Sequence, residues 1–373
     1  MVRDTIRQFT ARFEARFPRL AVLGALVLGL GSCALIGSYA SLPIVEPERS
    51  DVLAPYEAAD WPRYLKRLNL PRERDYVVVS FIPTRYPLDF SDPAKAQASF
   101  LEAGLSPGLD TKIGHTIVGW QCGPYQGMTS MSGANGFEAV ELLTGGWGLV
   151  AGLSIYTDGK LYPEGEHRKS NLRGIEQGRA IVTAVEVSRN DCLSMRQDLK
   201  RFIQHPNEPA KNFGLMLFPE RYEGGGCISF GFFLANAAGI MTEITPTIRR
   251  EVPLYSTMLG RGGAELPSVV HYRPPEGCCE TPVALDSLLF EPWARGPVVD
   301  RARIEDGELV IAAMVAGRAG VTAADDWRFD RVLARSDPAI ARAWDAGERF
   351  ASRYPVRRIA DPNGSQALVL ERR

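Results

Sequence analysis

Few side chains in this 373-residue chain could do covalent chemistry: six cysteines and four histidines, against 43 basic and 44 acidic residues spread along its length. The most suggestive neighbourhood belongs to Cys227. It follows Tyr222-Glu223-Gly224-Gly225-Gly226 and opens an uncharged, mostly apolar run, Ile-Ser-Phe-Gly-Phe-Phe-Leu-Ala-Asn-Ala-Ala, that ends at Gly239. Glycines admit turns that other residues resist, and a glycine just past an apolar run is a normal helix stop. The pattern predicts a short, buried helix from Cys227 to Ala238, apolar nearly all round. The sulfur then sits in the first helical turn, where unpaired amide hydrogens and the helix dipole favour a thiolate. The chemistry this allows is nucleophilic attack on a carbonyl, with room left by the glycines. The commoner alternative is a cysteine packed as a small hydrophobe.

A sulfur nucleophile needs a base, usually an imidazole. His115 follows a glycine at the start of the strand-like stretch Lys112-Ile-Gly-His-Thr-Ile-Val-Gly-Trp-Gln-Cys122, from where a ring can project over a helix packed across the sheet. By the period of two, Ile113, His115, Ile117, Gly119 and Gln121 share one face. His271 lies on another strand-like stretch, Ser268 to Tyr272, and competes for the role. His167 falls in a charged loop, Glu164-Gly-Glu-His-Arg-Lys, and reads as surface. His205 ends a helix before Pro206, where cation–dipole attraction accounts for it.

The elements that must hold these residues follow the hydropathy pattern. Tyr76 to Ile82 is a continuous β-branched run and predicts a buried strand. Ser91-Asp92-Pro93 starts a helix over Asp92 to Ala103. Strand character recurs at Ala180 to Val187, and one or two strands are expected between Met128 and Leu143. Ser188 to Gln204 has a capped start and a helical apolar stripe. Further along, Glu308 to Ala316 reads as a strand or a helix, and Ile340 to Tyr354 as a helix. With 26 prolines and 36 glycines, a loop-rich, β-containing protein is expected rather than a bundle. The net charge of −1 implies no polyelectrolyte partner, so a nucleic-acid partner is not expected.

The amino-terminal segment has its own logic. Arg3, Arg7, Arg12, Arg16 and Arg19 precede Leu20 to Val45, which carries no charged side chain. Within it, Leu30-Gly31-Ser32-Cys33 resembles the bacterial lipoprotein signal; that resemblance implies cleavage before Cys33 and a lipid on its sulfur. The alternative is an uncleaved anchor, since a bilayer needs about 20 apolar residues. Both place the rest of the chain outside the cytoplasm, because positive flanks stay inside. We therefore divide the chain into a signal or anchor segment (1–45), a proline-rich linker with a short helix (46–75), a main domain (76–280) and a carboxy-terminal extension (281–373).

Beyond Cys33 the cysteines are odd in number. Cys122 with Cys192 is a plausible structural pair, and the adjacent Cys278 and Cys279 could bridge each other or pair elsewhere. Cys227 remains, as expected of a reactive thiol. Cys and His do not cluster at metal-ligand spacing, so neither metal nor cofactor is expected.

The order of these features, Gly114-His115-Thr-Ile-Val-Gly on a strand, then strands and a helix, then Gly226-Cys227 opening a buried helix, resembles the permuted branch of the NlpC/P60 papain-like superfamily. That branch includes lecithin:retinol acyltransferase-like and YiiX-like proteins. The resemblance covers residues 110 to 245. It implies an α+β fold, an antiparallel sheet packed on a buried helix with Cys227 at its amino terminus, and extra carboxy-terminal elements. It implies Cys227 as nucleophile, His115 as base and a third polar residue orienting the imidazole; Gln121, Asn135 and Glu138 are candidates. In an unpermuted order His271 would be the base. The implied activity is that of a cysteine hydrolase or acyltransferase acting through a thioester on an amide or ester, with a cell-wall peptide or a lipid as substrate. A non-catalytic envelope lipoprotein using the same fold for binding or scaffolding is the alternative.

Overall fold

A computed structural model describes residues 52–58, 60–84, 87–105, 114–133, 141–150, 159–163, 167–262, 272–321, 329–362 and 366–373. Cys33, the apolar run around it, Asn135, Glu138 and His271 lie outside these residues. Among the described residues no helix is long and apolar enough to cross a membrane.

In chain order the elements are a helical turn α1 (Arg63–Lys66), strand β1 (Asp75–Ile82), α2 (Pro93–Leu105), β2 (His115–Cys122), β3 (Tyr125–Thr129), β4 (Met131–Gly133), β5 (Gly159–Leu161), α3 (His167–Glu176), β6 (Ile181–Val187), α4 (Arg189–Gln204), α5 (Cys227–Ala237), β7 (Arg249–Tyr255), β8 (Val298–Glu305), α6 (Gly307–Ala316), α7 (Pro338–Ser352), β9 (Val356–Ala360) and β10 (Ala367–Glu371). The class is α+β. A six-stranded sheet runs in the order β3-β2-β1-β6-β10-β9. Four of its five pairings are antiparallel, but β10 lies parallel to β6, so the expected antiparallel sheet is in fact mixed.

The sheet is covered on both faces, which is why β1, Asp-Tyr-Val-Val-Val-Ser-Phe-Ile, reads as one run without alternation and is buried at every position. Val77, Val79 and Phe81 point into a core shared with α4, α5, α6 and α7. Tyr76, Val78 and Ile82 point the other way, into a core with Trp61, Tyr64 and Ile175 of the α1 and α3 side. A third apolar cluster holds the β7–β8 ribbon with Trp147, Tyr272 and Trp293.

The residues set apart as a carboxy-terminal extension are part of this core. β10 inserts between β6 and β9, and α6 and α7 pack face to face against the sheet. No boundary at 280 corresponds to a separate body. The loop reading of His167 is also corrected: it is the first residue of α3.

Two cysteine pairs stand at bonding distance. Cys122 at the end of β2 and Cys192 in the first turn of α4 are 1.98 Å apart at their sulfurs, across a sequence separation of 70. Cys278 and Cys279 pair with each other. Cys227 is the free cysteine among the described residues.

Candidate functional site

The glycine run places Cys227 by close approach rather than by flexibility. Gly224 takes φ +126°, and a Cβ there would lie 2.1 Å from the Asn212 carbonyl oxygen. Gly225 N–H donates to that same oxygen at 3.1 Å, and the Gly225 carbonyl accepts from Gly214 N–H at 3.3 Å. The segment is thus pinned beside residues 212–214 and delivers Gly226 in extended geometry as the helix cap. Ser229 Oγ accepts from Gly226 N–H at 2.9 Å and closes half of a capping box; glycine has no side chain for the other half.

From there α5 runs with one face against β2. A Cβ on Gly231 would stand 2.4 Å from Thr116 Cγ2 and 3.6 Å from Val118 Cγ2, so the bare glycine lets the helix axis approach the strand. One turn earlier on that face is Cys227. Its S–H donates to the Gly114 carbonyl at 3.6 Å, and the amides of Thr116, Ile228 and Cys227 itself face the sulfur. The sulfur therefore lies against the backbone on both sides of His115.

Cross-strand pairing sets the direction of His115. It lies opposite Ile82, and Thr116 lies opposite Phe81. Thr116 and Val118 point to α5, whereas His115 leaves the strand on the face of Ile82 and Ile117. Its ring reaches Ser130, the residue after β3: Nε2 is 2.8 Å from Ser130 Oγ. The same hydroxyl donates to the Thr116 carbonyl at 2.6 Å. Since Thr116 N and O point to one side of the strand, the sulfur and the Ser130 hydroxyl occupy the same edge of β2, just beyond its last pair with β3, Val118 with Thr129.

These bonds also determine the tautomer. Ser130 has one hydroxyl proton, and the carbonyl contact takes it. The imidazole then donates to the Ser130 oxygen from Nε2–H.

Burial of the sulfur reverses one expectation. Cys227 is 8% exposed. Desolvation raises its thiol from 9.0 to about 11, against the opposing pull of the surrounding amides. That rise corresponds to about 3 kcal/mol against the thiolate, more than the ~1 kcal/mol a helix amino terminus usually supplies. The resting group is a thiol.

Of the expected third residues, Gln121 is excluded by position. It sits six residues along β2, about 20 Å away at the usual strand rise, and its carboxamide donates to the Pro71 and Arg74 carbonyls at 2.7 and 2.9 Å. The polar residue on the imidazole is Ser130, which sequence reasoning missed. Its only sequence signal is the Thr129-Ser130 pair interrupting Met128 and Met131. His205 is accounted for by stacking on Tyr222, with centroids 4.1 Å apart, and by accepting Asn207 N–H on Nδ1. Among the described residues no group of acidic, Cys and His side chains could hold a metal.

No family model, curated protein or solved structure matches this chain.

Proposed function

We propose that this protein is a cysteine hydrolase or acyltransferase of the permuted papain-like kind, acting on an amide or ester carbonyl outside the cytoplasm. The observation that carries the reading is the position of the Cys227 sulfur between Gly114 O and Thr116 N, with the intervening His115 imidazole hydrogen-bonded to Ser130 at the same strand edge. In the proposed reaction the His115 ring, which leaves the strand on the face away from α5, turns to the shared strand edge and takes the thiol proton, and the sulfur attacks the carbonyl carbon. Amides of the first turn of α5 receive the oxyanion. The imidazolium returns its proton to the leaving amine or alcohol, and a thioester on Cys227 remains. Water or a second acceptor, deprotonated by the same imidazole, then releases the acyl group. Cell-wall peptides and lipid esters are both substrates of the right bond type.

Location is part of the proposal. The uncharged run from Leu20 to Val45, with Leu30-Gly31-Ser32-Cys33 inside it, supports a membrane tether through a lipidated Cys33 or an uncleaved anchor. The two bonded cysteine pairs suit an oxidising compartment.

A second reading, a non-catalytic envelope lipoprotein, draws on the burial of Cys227 and its raised pKa. Acyl trapping separates the two. The protein is incubated with 4-nitrophenyl acetate, quenched in acid and its intact mass measured. A single acetyl adduct mapping to Cys227, absent in Cys227→Ala and slowed at least about a hundredfold in His115→Ala, is expected from a nucleophile with its general base. Absence of any adduct on Cys227 in the folded protein would favour the non-catalytic reading.

A further inference from the structure

Cys278 and Cys279 are bonded to each other, and the thiol chemistry assigned to Cys227 makes no use of them. The two cysteine pairs differ in what they do for the chain. Cys122 and Cys192 close a stretch of 70 positions. A bridge of that kind stabilises a fold by restricting the unfolded chain, and both of its residues are fully buried. Adjacent cysteines close no loop beyond their own peptide unit, so their bond restricts the unfolded chain hardly at all. Both are half-buried, in a loop whose Glu276, Gly277, Glu280 and Thr281 are exposed. A thiolate from solution therefore reaches this pair in the folded protein and does not reach the other.

What the bond between neighbours does is local. Cys279 takes φ +62°, a left-handed conformation uncommon for a residue with a side chain. This turn directs the following residues into a gap between two other segments. Thr281 O accepts from Arg261 N–H at 3.3 Å, and Val283 N–H donates to Gly146 O at 2.8 Å. Leu149 N–H donates to Met258 O at 2.8 Å and joins the other two segments to each other. All three meet at Gly260, where a Cβ would lie 2.6 Å from Gly146 O, 2.8 Å from Thr281 O and 2.8 Å from Val283 N. Beneath the junction, Trp147, Met258 and Leu259 are buried in the third apolar cluster, against which Cys279 packs. The junction has no slack, so the backbone conformation at Cys279 decides whether residues 281–283 fit it.

We propose that Cys278 and Cys279 form a reversible thiol–disulfide site, opened by a dithiol reductant, whose redox state locks residues 281–283 into the junction with Gly146 and Arg261 or releases them. One thiolate of the reductant attacks a sulfur of the pair. The S–S bond breaks, a mixed disulfide forms, and the other cysteine leaves as a thiolate that takes up a proton. The reductant's second thiolate attacks the mixed disulfide, frees the second cysteine and closes the reductant as a cyclic disulfide. Two electrons and two protons pass to the protein in all. A monothiol fares worse, because the freed cysteine sits beside the mixed disulfide and expels it. Without the bond, Cys279 gains by returning to a negative φ, and the carbonyl of Thr281 and the amide of Val283 leave their partners.

The test uses the full-length protein as isolated, in native buffer at about pH 8 with about 1 mM dithiothreitol, followed by iodoacetamide trapping and peptide mapping. Amide hydrogen exchange is measured before reduction, after it, and after reoxidation with glutathione disulfide. The expected result is labelling of Cys278 and Cys279 while Cys122 and Cys192 stay bonded. The Arg261 and Val283 amides are expected to exchange at least about tenfold faster in the reduced protein and to return to the slow rate on reoxidation. The double variant Cys278→Ser, Cys279→Ser is expected to exchange at the fast rate with no reductant present; the reduction arm needs no variant to fold. Labelling of the pair only when Cys122 and Cys192 are labelled too would overturn the proposal. So would reduction of the pair that leaves both amides at their original rates.

Discussion

Ser130 Oγ lies 2.8 Å from His115 Nε2 while its proton is directed to the Thr116 carbonyl at 2.6 Å. One hydroxyl thereby holds the ring and selects its tautomer, and it does so at the strand edge where the Cys227 sulfur rests on Gly114 O. Ser130 is a positioning residue, acting through His115. Ser130→Ala is expected to slow acylation of Cys227 about tenfold, the worth of one such hydrogen bond. The readout that separates positioning from structure is the pH profile of acylation, whose lower limb should move because the imidazole has lost its partner, while the melting temperature stays close to that of the parent. Ser130→Thr should restore most of the rate.

The burial of Cys227 makes a separate prediction about the resting enzyme. With the thiol pushed up to about 11, iodoacetamide labelling of Cys227 in the folded protein should climb about tenfold per pH unit between about pH 7 and about pH 10, tracking the thiolate fraction. Peptide mapping of the adduct measures it. The unfolded chain should label faster at neutral pH. A folded-state rate already level above neutral pH would show that a thiolate stands in the resting site.

Gly231 sets the gap between α5 and β2. Gly231→Ala places a Cβ 2.4 Å from Thr116 Cγ2. The strand lies within the central sheet and the helix in the core, so neither yields freely. The substitution should cost roughly 1–3 kcal/mol in urea unfolding. It should also lower Cys227 acylation, because the sulfur rides on the same helix face and loses its seat on the backbone around His115.

Three neighbouring buried carboxylates, Glu305, Asp306 and Glu308, are all raised by burial and bias stability against rising pH. Glu308 is pushed up to about 8 by burial and by Asp306, despite its contact with Arg335, and Glu305 to about 7 by burial. Both exceed their value of 4.5 in an unfolded chain. Between 4.5 and about 8 the folded state therefore holds protons that the unfolded state has released. Stability is full below 4.5 as far as these two groups are concerned and falls as pH rises through about 7 and 8. Thermal melts should be higher at about pH 5 than at about pH 8.5, the reverse of the usual carboxylate trend. Glu308→Gln should flatten that slope.

Much of this architecture was legible as local pattern. The β-branched run of β1, the strand character at β2 and β6, the capped amphipathic start of α4 and the glycine stop after α5 are patterns carried by near neighbours, and the structure contains each of them. Other elements left little trace. β8 reads Val-Val-Asp-Arg-Ala-Arg-Ile-Glu and β7 carries Pro253, so charge and proline hide both strands of a ribbon whose two members stabilise each other. β10 is five residues long and gains its place only by lying parallel to β6, about 180 positions upstream in chain order.

The chain by itself determined that a cysteine would open a buried helix behind three glycines, because helix caps and breakers act over a few residues. It also determined which histidines existed to serve it. Only the tertiary structure decided that Ser130 rather than Gln121 meets the imidazole, that the sulfur rests on the backbone flanking His115, and that burial outweighs the helix dipole at the thiol. Each of these depends on atoms brought together from segments more than ten residues apart. Desolvation and strand-edge geometry belong to the packed molecule and have no signature in any single stretch of sequence.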